Sequence, residues 1–163
     1  MITAKMTQTN PGLLREVQKR MDAAGKVVVA VGYPADESGL GQPYYPNGAS
    51  IIDVAVGNNY GTSANKTKRP FMDEASVKMK DEWNKDCEAS LEALQQGTLD
   101  VEAFLANSGM KAEAEVKSTI EQWDTPPNSE EWARKKGKGM LDNNPLVDTS
   151  AMMNAATYAV RKR

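Results

Sequence analysis

The stretch RPFMDEASVKMKDEWNKDCEASLEALQQG, residues 69–97, contains the longest helix that the sequence predicts. Pro70 disfavours helix at Arg69 and suits the first turn of the helix that follows. Apolar residues then recur at every third or fourth position, which places them on one helix face. These residues are Phe71, Ala75, Met79, Trp83, Cys87, Leu91 and Leu94. We therefore predict one long helix near 70–96, with this face buried and Cys87 as a buried structural thiol.

The residues before this helix predict a helix, a strand and two loops joined by a short helix. Asn10-Pro11-Gly12 carries the capping and proline signals of a helix start. Residues 26–32, KVVVAVG, form a β-branched run typical of a buried strand. Residues 34–48 are rich in Gly and Pro and predict an extended loop. The apolar positions of residues 49–56 predict a short helix, and the polar, basic residues 63–69 predict a second extended loop.

The residues after the long helix predict two further helices, a short helix and a strand. Residues 99–106 and 111–123 each carry one apolar helix face, and Asn107-Ser108-Gly109 indicates a break between them. Residues 134–139 are basic and contain two glycines, which predicts a flexible segment. A short helix then leads into a strand near 157–160.

Together these elements predict an α+β fold. We expect a small sheet, antiparallel or mixed, with a long β-hairpin or loop, flanked by helices. The length of 163 residues fits one domain, 1–163, in which the polar residues 1–9 are expected to be flexible. No apolar run approaches the roughly 20 residues of a membrane helix, so we expect no membrane partner.

The composition excludes several classes of enzyme. The chain has no histidine and one cysteine, which rules out a His-dependent triad or dyad, a His-ligated zinc site and a disulfide within the chain. Twenty Lys and Arg oppose 22 Asp and Glu, which argues against binding nucleic acid by bulk charge. The many carboxylates lie at outward helix positions and are typical of a solvated face. We therefore predict no catalytic residues, no cofactor-binding residues and no metal ligands.

Aromatic and basic residues in the loops are candidates for contact with a partner. The adjacent tyrosines of the 34–48 loop suit a protein interface, or pack back on their own domain. The basic residues of 134–138 suit nucleic acid, an acidic protein surface or plain solvation. The candidate interface residues, including two lysines of the 63–69 loop, are Tyr44, Tyr45, Lys66, Lys68, Arg134, Lys135, Lys136 and Lys138.

Three further motifs occur in order along the chain. The first is IIDVAVGNNYGT, residues 51–62, followed by Arg69-Pro70-Phe71; the second is WDTPPNS, residues 123–129; the third is NPLVDTSAMMNAATY, residues 144–158. The candidate structural residues in them are Asn59, Tyr60, Gly61, Thr62, Arg69, Pro70, Phe71, Pro126, Pro127, Asn128, Pro145, Leu146, Asp148 and Thr149.

Each motif has an interpretation in which it builds the fold. Tyr60 covers the core, and Gly61 supplies the turn after the helix. Asp148 or Thr149 caps the last helix. These roles involve turns, caps and helix starts, so the motifs are structural and not catalytic.

Taken in this order, the motifs resemble the neck and tail-completion (virion morphogenesis) proteins of long-tailed bacteriophages, including the Mu-like virion morphogenesis proteins. The resemblance spans about residues 26–162. Two positions depart from the family pattern. Asn59 stands in place of an acid, and Ser150 stands in place of a glycine, which puts a left-handed backbone at that position in doubt.

The resemblance implies a structural virion protein of the phage neck and not an enzyme. It implies a cyclic ring, with about six copies favoured and twelve as the alternative, that joins head to tail and lets DNA pass. Its partners are then further copies of itself, a head-closure or portal-side ring, a tail terminator or tail tube, and genomic DNA held in the lumen without sequence-specific binding. Subunits bury a sheet edge or a long loop against neighbours, with loops 34–48 and 63–69 as the expected contacts. The location is the neck or tail top of the virion, after assembly in the host cytoplasm.

Other functions stay open from the sequence. A tail-terminator or tail-assembly protein of the same particle is the nearest alternative. A small DNA-binding module that uses the basic cluster 134–138 belongs to another class, and a metal-dependent hydrolase built from carboxylates alone is a third possibility.

Overall fold

The computed structural model describes residues 11–34, 45, 48–135 and 144–163. Within these ranges the chain forms helices and a small sheet, which confirms the predicted α+β fold. Two predictions concern residues that the structure does not describe. These are the flexibility of residues 1–9 and most of the extended loop 34–48. The elements are the helices α1 (Pro11–Ala24), α2 (Ile51–Tyr60), α3 (Phe71–Gln96), α4 (Val101–Glu121), α5 (Glu130–Lys135) and α6 (Ala151–Ala155), and the strands β1 (Val27–Gly32) and β2 (Thr157–Lys162).

The sheet pairs the strand that follows α1 with the last strand of the chain. β1 pairs with β2 in antiparallel orientation, with Val27 opposite Lys162 and Gly32 opposite Thr157. The sheet is therefore antiparallel, and its two strands are distant in sequence and not the arms of a hairpin. α4 packs across both strands, and α3 packs beside α4. The result is a layer of helices on one face of a two-stranded sheet.

α4 is one continuous helix, so the predicted break at Asn107-Ser108-Gly109 is wrong. Ser108 and Gly109 are buried in α4, because this part of the helix lies against the sheet. A Cβ atom on Gly109 would lie 2.7 Å from Cγ of Tyr158 and 2.9 Å from Cγ2 of Val29. The glycine therefore allows a close approach of helix and sheet and does not form a turn.

Only the first half of α3 carries the predicted buried face. The buried residues of this helix are Phe71, Ala75 and Met79. Cys87 is exposed and Leu91 is 49% exposed, so the prediction of a buried thiol is wrong. The reason is that α3 extends beyond the core, and α1 packs against it instead. Nη1 of Arg20 in α1 donates to the carbonyl of Gln95 near the end of α3 at 3.0 Å.

The core lies where α2, α3, α4, α6 and the third motif meet. Phe71 and Ile120 are its fully buried large apolar side chains. Its other members are Ile51, Ala55, Ala75, Val116, Leu146, Met152 and Ala156. Residues 61–70 join α2 to α3 without helix or strand, which confirms the second loop. Residues 130–135 form α5, so the expected flexible segment begins with helix at Arg134 and Lys135.

Candidate functional site

Arg69 is a buried arginine that joins the first motif to the second. The residue is 5% exposed. Nε donates to the carbonyl of Pro126 at 3.0 Å, and Nη2 donates to the carbonyl of Pro127 at 3.3 Å. Nη1 donates to Oδ1 of Asn58, and Nη2 donates to Oδ1 of Asn128, each at 3.3 Å. The guanidinium therefore holds two segments that are distant in sequence against each other.

The charge of Arg69 is stabilised by carbonyl and amide dipoles. Among the described residues, its side chain makes no ion pair with a carboxylate. Burial lowers the pKa of the guanidinium from its ordinary value, because the charged form loses hydration. A guanidinium stays charged all the same, and its planar fork of five donors matches this spread of oxygens better than a lysine does.

The turn after α2 delivers Arg69 to this position. Gly61 ends α2 with φ of 79°, which confirms its predicted role in the turn. The N–H of Thr62 donates to the carbonyl of Asn65 at 2.7 Å and closes a tight loop. The N–H of Arg69 then donates to the carbonyl of Asn58 at 2.7 Å, which fixes the backbone just before α3 begins.

Asn59 connects α2 to the start of α3. It is buried, and its Oδ1 accepts the N–H of Met72 at 3.0 Å. Its Nδ2 donates to Oδ2 of Asp73 at 3.2 Å. An acid at this position also accepts from Met72, but an ionised carboxylate has no proton to donate and repels Asp73. Asn59 therefore suits this chain better than an acid does, because its Nδ2 can donate to the carboxylate of Asp73.

Asn144 connects the third motif to the end of α4, and the sequence analysis did not single it out. Its Nδ2 donates to the carbonyls of Ile120 at 3.0 Å and Glu121 at 2.6 Å, in the last turn of α4, where carbonyls lack the regular helical hydrogen bond. Its Oδ1 accepts the N–H groups of Leu146 at 2.8 Å and Val147 at 3.0 Å. The available signal was an asparagine directly before a proline, which is a common start of a turn.

The start of α6 differs from the prediction that Asp148 or Thr149 caps it. Both residues are exposed, and the capping position belongs to Ser150, whose side chain makes no capping hydrogen bond. Oγ1 of Thr149 accepts the N–H of Ala151 at 3.4 Å. Ser150 has φ of 58°, so the backbone is left-handed here although the glycine of the family pattern is absent.

Replacing Ser150 with glycine is expected to raise the free energy of unfolding by about 0.5–1 kcal/mol. The left-handed conformation costs a residue with a Cβ about 1–2 kcal/mol, and the greater freedom of glycine in the unfolded chain offsets part of this gain. Ser150→Ala keeps the Cβ and is the matched control, for which we expect no gain. Urea unfolding of the three chains measures the difference, and equal midpoints for the glycine and alanine variants contradict the assignment of strain.

The three motifs meet around one surface groove of about 630 Å³. Val54, Asn58 and Arg69 contribute from the first motif, and Tyr45 and Trp132 are aromatic residues of its lining. Trp132 is 48% exposed. The remaining motif residues of the lining are Pro127, Asn128, Ser129, Pro145, Leu146, Asp148 and Met152. A groove with aromatic residues and fixed polar groups has the composition of a protein contact site.

The candidate interface residues that the structure describes lie in the groove lining or on the segments that contribute to it. Tyr45 is half-buried in its lining, and Lys66 and Lys68 are exposed on the adjacent loop 61–70. Arg134 and Lys135 are exposed on α5, and Nζ of Lys135 pairs with Oε1 of Glu131 at 2.9 Å. Outside the described residues lie Tyr44, Lys136 and Lys138.

Tyr60 does not cover the core, which corrects the prediction for this residue. It is 60% exposed at the end of α2, whereas Phe71 at the start of α3 is fully buried. The turn at Gly61 directs α3 back over α2, and this places Phe71 and not Tyr60 against the core cluster.

Tyr33 gives the fold a sensitivity to alkaline pH. Its hydroxyl donates to the carbonyl of Met152 at 3.0 Å, and burial together with the nearby Tyr45 raises its pKa well above the usual value near 10. The neutral form is therefore favoured by folding. Its contribution to stability is complete below about pH 10 and is lost as the pH rises above that value.

Tyr33→Phe is expected to cost about 1 kcal/mol at neutral pH, and this difference from the parent chain is expected to shrink above about pH 10. The shrinkage arises because only the parent chain has, at position 33, a phenol that is held neutral by folding and ionises in the alkaline unfolded state. Urea unfolding of both chains from neutral to alkaline pH measures it, and a constant difference across the range contradicts the linkage.

Among the described residues, no cluster of three or more cysteine, aspartate or glutamate side chains is arranged to hold a metal ion. No helix in the described ranges is both long and apolar enough to span a membrane. Comparisons of the chain with protein-family models, with curated proteins and with solved structures found no match.

Proposed function

We propose that this chain is a structural protein of the phage neck, which forms a ring between head and tail and lets DNA pass. The observation that carries the proposal is the meeting of the three motifs around one groove. Arg69 joins the first motif to the second, and Asn144 joins the third to α4. The resemblance therefore rests on residues that build one surface together.

The roles of these residues favour contact over chemistry. The groove presents an exposed tryptophan, a half-buried tyrosine and hydrogen-bonded asparagines. Aromatic residues beside fixed polar groups are typical of interfaces between proteins. We assign the groove and the adjacent lysines Lys66 and Lys68 to contact between neighbouring subunits of a ring of about six copies, with twelve as the alternative.

Electron microscopy and native mass spectrometry test the ring, on the chain alone and mixed with head-closure and tail-terminator proteins of its own phage. We expect closed rings in at least the mixture. Trp132→Ala with Lys66→Glu is expected to weaken ring formation without lowering stability, because both side chains are exposed. Val77→Ala with Lys80→Glu, on the exposed face of α3, is the matched control. Monomers under every condition contradict the proposal.

The tail-terminator role and the DNA-binding role are separated by two measurements. The position of the density in an image of the assembled particle distinguishes a neck ring from a tail terminator. A titration with duplex DNA at several salt concentrations tests the basic cluster, since a DNA-binding module gives a steep dependence on salt. We expect no steep dependence on salt, because 22 Asp and Glu oppose the 20 Lys and Arg of the chain.

A further inference from the structure

The distal half of α3 carries an exposed apolar pair beside an exposed acidic pair. Cys87 is exposed and Leu91 is 49% exposed, and the two lie one helical turn apart on one face. Glu88 and Glu92 are also exposed and lie one turn apart on the adjacent face. These four residues form the α3 tip, which stands on the part of the helix that extends beyond the core.

The acidic pair of the α3 tip is not neutralised within the described chain. Two carboxylates at positions i and i+4 of a helix repel each other. Neither Glu88 nor Glu92 takes part in an ion pair with a described residue, whereas Nζ of Lys111 pairs with both Glu82 and Asp86 on the same helix. The tip therefore presents two carboxylates that can pair with cations of another molecule.

The groove carries the complementary set of side chains. Trp132 is 48% exposed in its lining. The exposed residues Lys66 and Lys68 alternate along the chain with residues of that lining, which are Asn65, Thr67 and Arg69. Within the described ranges, neither lysine pairs with a carboxylate. Charges of opposite sign on two facing surfaces select the partner and fix the register of a contact.

The α3 tip cannot contact the groove of its own chain. Arg69 lines the groove and lies two residues before the start of α3 at Phe71. Leu91 lies 20 residues further along the same helix, and a rise of about 1.5 Å per residue separates the two positions by about 30 Å. A groove of this composition that meets the tip must therefore belong to another copy of the chain.

We propose that the α3 tip of one copy docks into the groove of a second copy of this chain. The contact is a helix in a groove, with the apolar pair of the tip against Trp132 and its acidic pair against Lys66 and Lys68. Because it joins two different surfaces, it is heterologous, and its repetition generates a closed ring or a filament. The proposal rests on the proposed function and names the second of the two surfaces that neighbouring subunits of the ring use. Val77 lies about 20 Å before Leu91 along α3 and stays outside this contact.

Reversal of the charges on each surface tests the pairing. Lys66→Glu with Lys68→Glu reverses the groove, and Glu88→Lys with Glu92→Lys reverses the tip. Each double variant is expected to weaken association at least about tenfold in sedimentation velocity, under conditions in which the parent chain forms oligomers. An equimolar mixture of the two is expected to restore association, because each reversed surface then meets a surface of opposite charge on the alternate copies.

A matched variant controls for net charge. Lys19→Glu with Lys26→Glu changes the net charge as the groove variant does, at exposed lysines outside the groove lining. It is expected to change association by less than about twofold. Equal weakening by this control, or a mixture that does not associate, overturns the proposal.

Cross-linking tests the direction of the contact. Cys87 is the one cysteine of the chain, and Trp132→Cys adds a second in the groove. A short thiol-specific cross-linker is expected to join each copy to the next and to give a ladder of covalent oligomers on a denaturing gel. Val56→Cys, at a residue that is 50% exposed on α2 and outside the groove lining, is the control and is expected to give no ladder. Dimers alone from the Trp132→Cys chain, or an equal ladder from the control, overturn the proposal.

The outcomes separate this contact from the ring as a whole. Rings that persist in both charge-reversed variants leave the proposed function intact and remove the contact between tip and groove alone. Where the parent chain assembles only with head-closure and tail-terminator proteins, the same variants are compared in that mixture. A parent chain that stays monomeric in every mixture overturns both proposals.

Discussion

Replacing Gly109 with alanine is expected to lower the free energy of unfolding by about 2 kcal/mol, although alanine is the better helix former. In an open helix the same change gains about 1 kcal/mol. Here the new Cβ lies 2.7 Å from Cγ of Tyr158 and 2.9 Å from Cγ2 of Val29. Cγ is the rigid root of an aromatic ring, so α4 must move off the sheet, and overpacking of this kind costs about 1–3 kcal/mol beyond the lost propensity gain.

Gly25 offers the matched control for this substitution. A Cβ there has its nearest neighbour, the carbonyl oxygen of Met21, at 3.5 Å, an ordinary contact. Gly25→Ala is therefore expected to change stability by less than about 1 kcal/mol, in the stabilising direction. Urea unfolding followed by circular dichroism measures both variants. A gain in stability for Gly109→Ala contradicts the close approach of α4 to the sheet.

Arg69→Ala is expected to destabilise the fold by about 3 kcal/mol, the larger of the two effects. Four hydrogen bonds end at the guanidinium, and its removal leaves the carbonyls of Pro126 and Pro127 and two amide oxygens without these donors. Hydrogen bonds to a charged group contribute about 1.5–3 kcal/mol each, and relaxation and water recover part of the total. The loss is expected to concentrate in the contact between loop 61–70 and residues 125–128.

Two comparisons make the Arg69 result specific. Arg69→Lys keeps the charge but not the planar fork, so it is expected to recover less than half of the lost stability. Arg134→Ala removes an exposed arginine and is expected to change stability by less than about 0.5 kcal/mol. Unfolding midpoints give the energies, and hydrogen exchange in residues 123–129 shows where the structure loosens. Full recovery by lysine contradicts the bridging role.

Local signals were enough to place most of the elements. The proline at position 70, the β-branched run of β1 and the glycine at position 61 act within a few residues, and α3, β1 and the turn follow from them. The break at Asn107-Ser108-Gly109 was wrong because a turn signal was overridden by tertiary packing. From sequence alone, a glycine that lets a helix approach a sheet closely cannot be distinguished from a glycine that ends a helix.

The candidate site was predictable as a set of motifs and not as an arrangement. In the sequence, Arg69 is notable only as the residue before a proline. No residue near it in sequence indicates that its side chain donates to the carbonyls of Pro126 and Pro127. Cys87 shows the same limit, since periodicity gives the face of a helix but not how far the core extends along it. Such facts are fixed by which elements pack together, and spacing along the chain does not encode them.

The pairing of β1 with β2 also sets an order of events during synthesis. β1 is made early, and its partner at residues 157–162 is made after every other element of the described chain. α3 and α4 are adjacent in sequence, so only a short loop must close before they pack, and they can pack first. Pairing β1 with β2 closes a much longer loop and therefore costs more chain entropy. The valine-rich β1 therefore waits with both edges unpaired until residues 157–162 have left the ribosome. Until β2 is made, the unpaired edges of β1 can pair with other chains, so chaperones are expected to limit aggregation during synthesis.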